Sequence, residues 1–214
     1  MRDDILIIDE IHRKAASEVF EMILPTLKSH TGKFMMTIAG ESGAGKSEIA
    51  SALADLMRKD NIPAYIIQQD DYFEFPPKTN ARMREKDIGR IGPGEVRIDL
   101  INDNLSSILS GKDPVEKPLV IFSEDKITTE ELSFEPFKVI ILEGTYTTMA
   151  KNIDCRVFID RDMNDTRADR LKRNREKQDD YLEHILRIEH DIISRHKERA
   201  DIVITRDFTA VKKS

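Results

Sequence analysis

At 214 residues the chain has the length of one domain, and folding at this size removes roughly 70% of the unfolded surface from water, enough for one real core. Hydrophobic residues make up 39% and charged residues 35%, with a formal net charge of −6, a balance that argues against nucleic acid as a main partner and leaves any phosphate ligand dependent on local positive charge. No stretch is apolar enough to span a bilayer, and Met1-Arg2-Asp3-Asp4 carries acids where a signal peptide is positive, so the expected address is the cytoplasm, with no membrane partner.

Ile11, Ala15, Val19, Met22 and Ile23 recur at helical spacing between about Glu10 and Leu27, which predicts an amphipathic helix kinked or ended by Pro25. Residues 1–33 therefore read as a helical extension packed on a domain covering 34–214. Phe34-Met35-Met36-Thr37-Ile38-Ala39 is a short apolar run between Gly32 and Gly40, as expected of a strand covered on both faces. A glycine loop follows, and then Ile49, Ala52, Leu53, Leu56 and Met57 predict a helix from Ser47 to about Lys59. Ala64-Tyr65-Ile66-Ile67 is a second strand. The segment from Phe73 to Val96, with Pro76-Pro77 and Gly92-Pro93-Gly94, reads as a long loop of the functional or mobile kind.

Further along, Ile101, Leu105, Ile108 and Leu109 give a connecting helix, and Leu119-Val120-Ile121-Phe122, just after Pro118, an extra strand near the sheet edge. Val139-Ile140-Ile141-Leu142, Val157-Phe158-Ile159 and Ile202-Val203-Ile204 are three more strands, with a helix through Leu182, Ile185, Leu186, Ile188, Ile192 and Ile193 before the last. The single cysteine, Cys155, has no partner for an internal disulfide and reads as a small core residue. Strands alternating with helices call for one doubly wound α/β domain: a parallel sheet with helices on both faces.

Gly40-Glu41-Ser42-Gly43-Ala44-Gly45-Lys46-Ser47 matches the eight-position pattern G-x-x-x-x-G-K-S/T in full, entered by a strand and left by a helix. Glycines let successive backbone N–H groups turn inward on phosphate oxygens, and the following helix adds its positive end. Lys46 can reach the β- and γ-phosphates of a nucleoside triphosphate, and the Ser47 hydroxyl can ligate Mg²⁺. With average residue usage such a match arises by chance in about one chain in a hundred of this length.

Two strands end in acids on the side where open α/β sheets bind ligands. One runs into Gln68-Gln69-Asp70-Asp71-Tyr72-Phe73, the other into Glu143-Gly144. One carboxylate there can take the proton of an attacking hydroxyl, and a second can hold Mg²⁺. The basic run from Asp165 to Lys177 can close over a triphosphate, with Arg170 and Arg173 on one helical face; equally, Asp169 and Arg173, four apart, suit a salt-bridged surface. His12, His30, His184, His190 and His196 show no metal-ligand spacing and read as surface or core histidines.

Taken in this order, the glycine loop, Gln69-Asp70-Asp71-Tyr72-Phe73, Ile140-Ile141-Leu142-Glu143-Gly144, the Arg-x-x-Arg of Arg170 and Arg173, and Ala200-Asp201-Ile202-Val203-Ile204 resemble the phosphoribulokinase/uridine kinase family of P-loop kinases. The resemblance spans roughly Phe34 to Ile204. It implies a three-layer α/β/α fold with a five-stranded parallel sheet in the order 2-3-1-4-5 and a helical lid over about 165–180. It also implies ATP and Mg²⁺, a small-molecule acceptor phosphorylated on a hydroxyl, Lys46 on the phosphates, and Ser47, Glu143 and Asp70 near the metal. Asp70 would be the base, with Asp71 able to exchange roles with it, and Arg170 and Arg173 would act from the lid.

The segments that read the nucleoside in uridine kinases differ here: Val120 to Lys126 has no histidine, and Arg90-Ile91-Gly92-Pro93-Gly94-Glu95-Val96-Arg97 replaces their Asn-Phe-Asp-His-Pro stretch. Asp71, Tyr72, Phe73, Arg90 and Arg97 are the expected acceptor contacts, and the two arginines suit an anionic acceptor. A nucleotide-binding regulator or NTPase switch without an acceptor is the alternative; Asn-Lys-x-Asp and Asp-x-x-Gly, the marks of a GTPase switch, are missing. Homo-oligomer formation stays open.

Overall fold

The computed structural model describes residues 6–173 and 179–213. In chain order the elements are α1 (Glu10–Ser29), β1 (Phe34–Gly40), α2 (Lys46–Lys59), β2 (Ala64–Gln68), α3 (Pro77–Lys86), α4 (Ile98–Leu109), β3 (Val115–Ile121), β4 (Lys126–Leu132), β5 (Val139–Glu143), β6 (Cys155–Ile159), α5 (Arg167–Arg173), α6 (Asp180–Ile193), β7 (Ile202–Ile204) and β8 (Ala210–Lys212). Pro25 lies inside α1 without ending it. The ring sits on the exposed face, where water can satisfy the carbonyl that its missing N–H leaves free.

The main sheet runs β2-β5-β1-β6-β7-β8. Its first five strands are parallel and, numbered among themselves, stand in the order 2-3-1-4-5. β8 closes the edge antiparallel to β7. All seven residues of β1 are buried, because helices cover both faces and the side chains alternate between them. Phe34, Met36 and Ile38 join Ala15, Val19 and Ile23 of α1 and Ile49 and Leu53 of α2 in one core cluster. Met35 and Ala39 face the other way, toward Tyr72, Ile101, Leu105 and Ile140. Cys155 is buried, and that burial pushes its thiol up to about 12, as expected of a core residue.

Two expectations change. The stretch from Phe73 to Val96 is not one loop: α3 and two short 3₁₀ turns fill much of it, and Phe73 pairs with Val96 in an isolated bridge. Leu119 to Phe122 does not lie at the main sheet's edge either. Its strand, β3, pairs with β4 in a separate antiparallel hairpin, Val115 opposite Leu132 and Ile121 opposite Lys126. Among the described residues no helix is long and apolar enough to cross a membrane.

Candidate active site

The register of the sheet aligns the carboxyl ends that matter. Ile38 stands beside Glu143, and Glu143 beside Gln68, so the chain after β1, β2 and β5 emerges at one level. The glycine loop leaves β1 there and turns into α2 at Lys46, with φ of 78° at Gly43 and 100° at Gly45. Both angles lie where only glycine is comfortable. Space imposes the same choice: a Cβ on Gly43 would stand 2.9 Å from Cγ of Arg170, and one on Gly45 would stand 3.3 Å from the His12 and Phe208 rings. These two rings pack edge to face, with centroids 5.1 Å apart, so α1 supports the loop from beneath.

Within the loop, Glu41 and Ala44 are buried and Ser42 is half-buried. Lys46 Nζ donates to the loop's own Glu41 carbonyl at 2.9 Å, which holds its charge across the mouth of the cradle. The Ser47 hydroxyl donates to Glu143 Oε1 at 3.1 Å. Glu143 is buried, and burial first, then repulsion from Asp70, pushes its carboxyl up to about 7 against the pull of Lys46. A hydroxyl oxygen and two mutually repelling carboxylates suit a hard divalent cation, whose charge would relieve that repulsion. Among the described residues there is no cluster of three or more His, Cys, Asp or Glu able to cage a metal; Mg²⁺ ordinarily takes one or two protein oxygens and completes its shell with phosphates and water.

Asp70 and Asp71 lie in a 3₁₀ turn, Gln69–Tyr72, at the end of β2. Asp71 is buried, its Oδ2 3.1 Å from Lys117 Nζ and its Oδ1 accepting the Val120 N–H at 2.9 Å. Lys117 also pairs with Glu130 at 2.9 Å, so this charge fastens the β3–β4 hairpin to the turn. Asp70 instead reaches solvent. Protein nevertheless walls it on most sides, and that desolvation raises its carboxyl above the usual range, opposed by Lys46. A carboxylate can touch water on one side and still be penalised for its charge by the protein packed around it.

Tyr72 is buried, its hydroxyl donating to Asn104 Oδ1 at 2.9 Å, and Phe73 is half-buried. Arg90 pairs with Glu74 at 2.9 Å and stacks over Phe75. Arg97 is exposed at the start of α4. Arg170 is buried against Gly43, donating to the Thr166 hydroxyl and, at 2.9 Å, to the Met163 carbonyl. Arg173 is the last residue of α5, and its side chain lies outside the described residues, as does the lid over 174–178. Asp169 pairs with Arg161 at 3.1 Å.

Three features had no signal in residue spacing. His190 on α6 sets Nδ1 2.5 Å from Glu41 Oε1 of the phosphate loop. The hydrogen bond to Glu41 raises the imidazole above its usual value, while burial raises Glu41 despite the histidine. Lys117 lies 46 residues from Asp71 and Glu189 lies 105 from Arg84; both pairs depend on tertiary folding. The Arg84 guanidinium is held by Glu95 at 2.6 Å and Glu189 at 3.1 Å.

The model of the phosphoribulokinase/uridine kinase family matches residues 35–211. A bifunctional alpha-galactosidase/sucrose kinase of Mediterraneibacter gnavus is 26% identical over 91% of this chain, which spans 22% of that protein. A uridine kinase of Staphylococcus epidermidis is 26% identical over 78% of this chain and 84% of its own length. Among solved structures, the D-glycerate 3-kinase of Cryptococcus neoformans superposes with a TM-score of 0.64 at 14% identity, over 95% of this chain and 99% of that one, a likeness of fold.

Proposed function

The chain belongs to the phosphoribulokinase/uridine kinase family, and we propose that it is an ATP-dependent kinase that transfers the γ-phosphoryl group to a hydroxyl of a small metabolite. The observation that carries this reading is the division of labour between Asp70 and Asp71. A site that only binds nucleotide has no use for a second strand-end carboxylate kept open beside the phosphate cradle. Here one aspartate is committed to Lys117 and Val120, while its neighbour faces the cleft with its affinity for protons raised.

The loop from Gly40 to Ser47 binds the triphosphate through its inward N–H groups and the start of α2. Lys46 leaves the Glu41 carbonyl for the β- and γ-phosphates, and Arg170, already against Gly43, adds positive charge beside them. Ser47 and Glu143 would hold Mg²⁺, with Asp70 alongside, and the ion would supply charge neutralisation on the phosphates. Asp70 accepts the proton of the acceptor hydroxyl as its oxygen bonds to the γ-phosphorus and the bond to the β-phosphate oxygen breaks. A carboxylate raised toward the working pH is the better base for that step. Arg173 and the rest of the lid over about 165–180 complete the closure.

Measuring ADP release with ATP and Mg²⁺ across nucleosides, sugars, sugar phosphates and glycerate tests the assignment. At least one acceptor is expected to accelerate release well above the rate with water alone. Equal release with and without every acceptor would contradict it.

A further inference from the structure

Glu41 puts a carboxyl group at the second position of a loop that gathers negatively charged phosphates. Its side chain is only 7% exposed. Its carbonyl accepts the Ala44 N–H at 3.1 Å and Lys46 Nζ at 2.9 Å, so the residue stands beside the lysine that reaches the phosphates. An ionised acid at that place opposes a bound triphosphate.

The group that meets this acid comes from 149 residues further along the chain. His190 Nδ1 lies 2.5 Å from Glu41 Oε1, and His190 occupies the last turn of α6, where the carbonyls of a helix end favour a cation. Among the described residues, the other charged groups that act most on the pair are Asp162, which follows β6, Asp191, one residue along α6, and Lys46 of α2. Asp162 in turn meets Arg206 at 3.0 Å. The hydrogen bond to Glu41, helped by the charges of Glu41, Asp162 and Asp191, holds the ring's proton above the usual histidine range against burial.

We propose that His190 is a positioning residue of the nucleotide cradle: it draws the Glu41 carboxyl group onto α6 and cancels its charge, so that a loop carrying an acid still accepts a triphosphate. The inference rests on the reading that this loop binds ATP, and it links that binding to a proton. With one titratable proton between them the two side chains are neutral in sum, whichever holds it. Loss of that proton makes the site one charge more negative, whatever else borders it, and weakens its hold on an anion. Because the folded protein keeps the ring protonated above pH 6.5, ATP affinity is full at lower pH and falls as pH rises through the raised value. A further proton on Glu41, whose carboxyl is raised by burial, acts in the same direction. Linkage is reciprocal, so bound ATP tightens the ring's hold on its proton.

The test is equilibrium titration of ATP with Mg²⁺ into the wild type, His190→Gln and Glu41→Gln at about pH 6 and about pH 9. Comparing proteins at one pH cancels the titration of ATP itself. His190→Gln keeps a hydrogen-bonding side chain and removes the titratable charge. At the lower pH it should bind ATP about fivefold more weakly than the wild type, and at the higher pH the two should agree within about twofold. Glu41→Gln, which lacks the acid, should bind about fivefold more tightly than the wild type at the higher pH. NMR titration of the His190 ring in the wild type should place its midpoint about 0.7 pH units higher with ATP bound, the same fivefold factor seen from the proton's side. An equal ratio between wild type and His190→Gln at both pH values, as a merely structural ring would give, overturns the proposal. So does a Glu41→Gln protein that binds no more tightly than the wild type at the higher pH, or a ring whose midpoint ATP leaves unmoved. If His190→Gln does not fold, the Glu41→Gln comparison and the ring titration decide. A wild type that binds ATP with the expected pH dependence but phosphorylates no acceptor removes the kinase reading and supports this one; failure to bind ATP at either pH removes both.

Discussion

Lys117 Nζ lies 3.1 Å from one Asp71 oxygen and the Val120 N–H donates to the other, so Asp71 enters the cleft floor already neutralised. Asp70, one residue earlier, has water on one side and protein on the others. Residue types alone left the two interchangeable, because the difference comes from a lysine 46 positions away. The phosphate loop was legible for the opposite reason: each of its positions is set by backbone geometry and a ligand contact within eight residues. His190 lies between these cases. Its imidazole sits on Glu41 and is raised above 6.5, so the folded state holds the proton more tightly than the unfolded chain. Its contribution is fully present below pH 6.5 and is lost as pH rises through the raised value. Because the ring is 42% exposed, solvent screens the pair and the change should not exceed about 1 kcal/mol. Thermal melts of the wild type and His190→Gln at about pH 5.5 and about pH 8 should differ most at the lower pH. A constant offset between the two proteins would remove the pair from the stability account.

At the scale of elements, the five core strands could be read because each is a short apolar run bounded by turn residues. α3 could not: its sequence Pro77-Lys78-Thr79-Asn80-Ala81-Arg82-Met83-Arg84-Glu85-Lys86 has no apolar stripe, and only Pro77 at the first position hinted at a helix start. The β3–β4 hairpin was half visible. An apolar run next to Pro118 says strand, but not which partner it takes, and β4 is mostly polar. What docks the hairpin is a buried cation, Lys117, between Asp71 and Glu130. Replacing it by Met removes this cation from two carboxylates, one of them deeply buried. Lys117→Met should cost about 3 kcal/mol in urea unfolding, at the lower end of the range for breaking a buried pair because Glu130 reaches water. A loss below about 0.5 kcal/mol would mean that the hairpin is held by its apolar contacts alone.

For the whole molecule, the parallel order, the strand-end acids and the cradle converge on the carboxyl end of the sheet, and α1 from beneath and α6 from the side both reach the phosphate loop, through His12 and His190. That convergence gives α1 a place in the site as well as in the core. It was not legible in advance because amphipathic spacing tells which face of a helix is buried, not what lies under it. The packing of α3, the turn around Glu95 and α6 through Arg84 is likewise a product of long-range contacts, and the motifs pointed to phosphoryl transfer more sharply than to a substrate. The central claim is that Asp70 takes the acceptor's proton beside this cradle. Its direct test is single-turnover phosphoryl transfer by Asp70→Asn with ATP affinity measured in parallel. The account predicts a fall in transfer rate of about 10²–10⁴-fold with ATP binding preserved; transfer at the wild-type rate by that variant would contradict it.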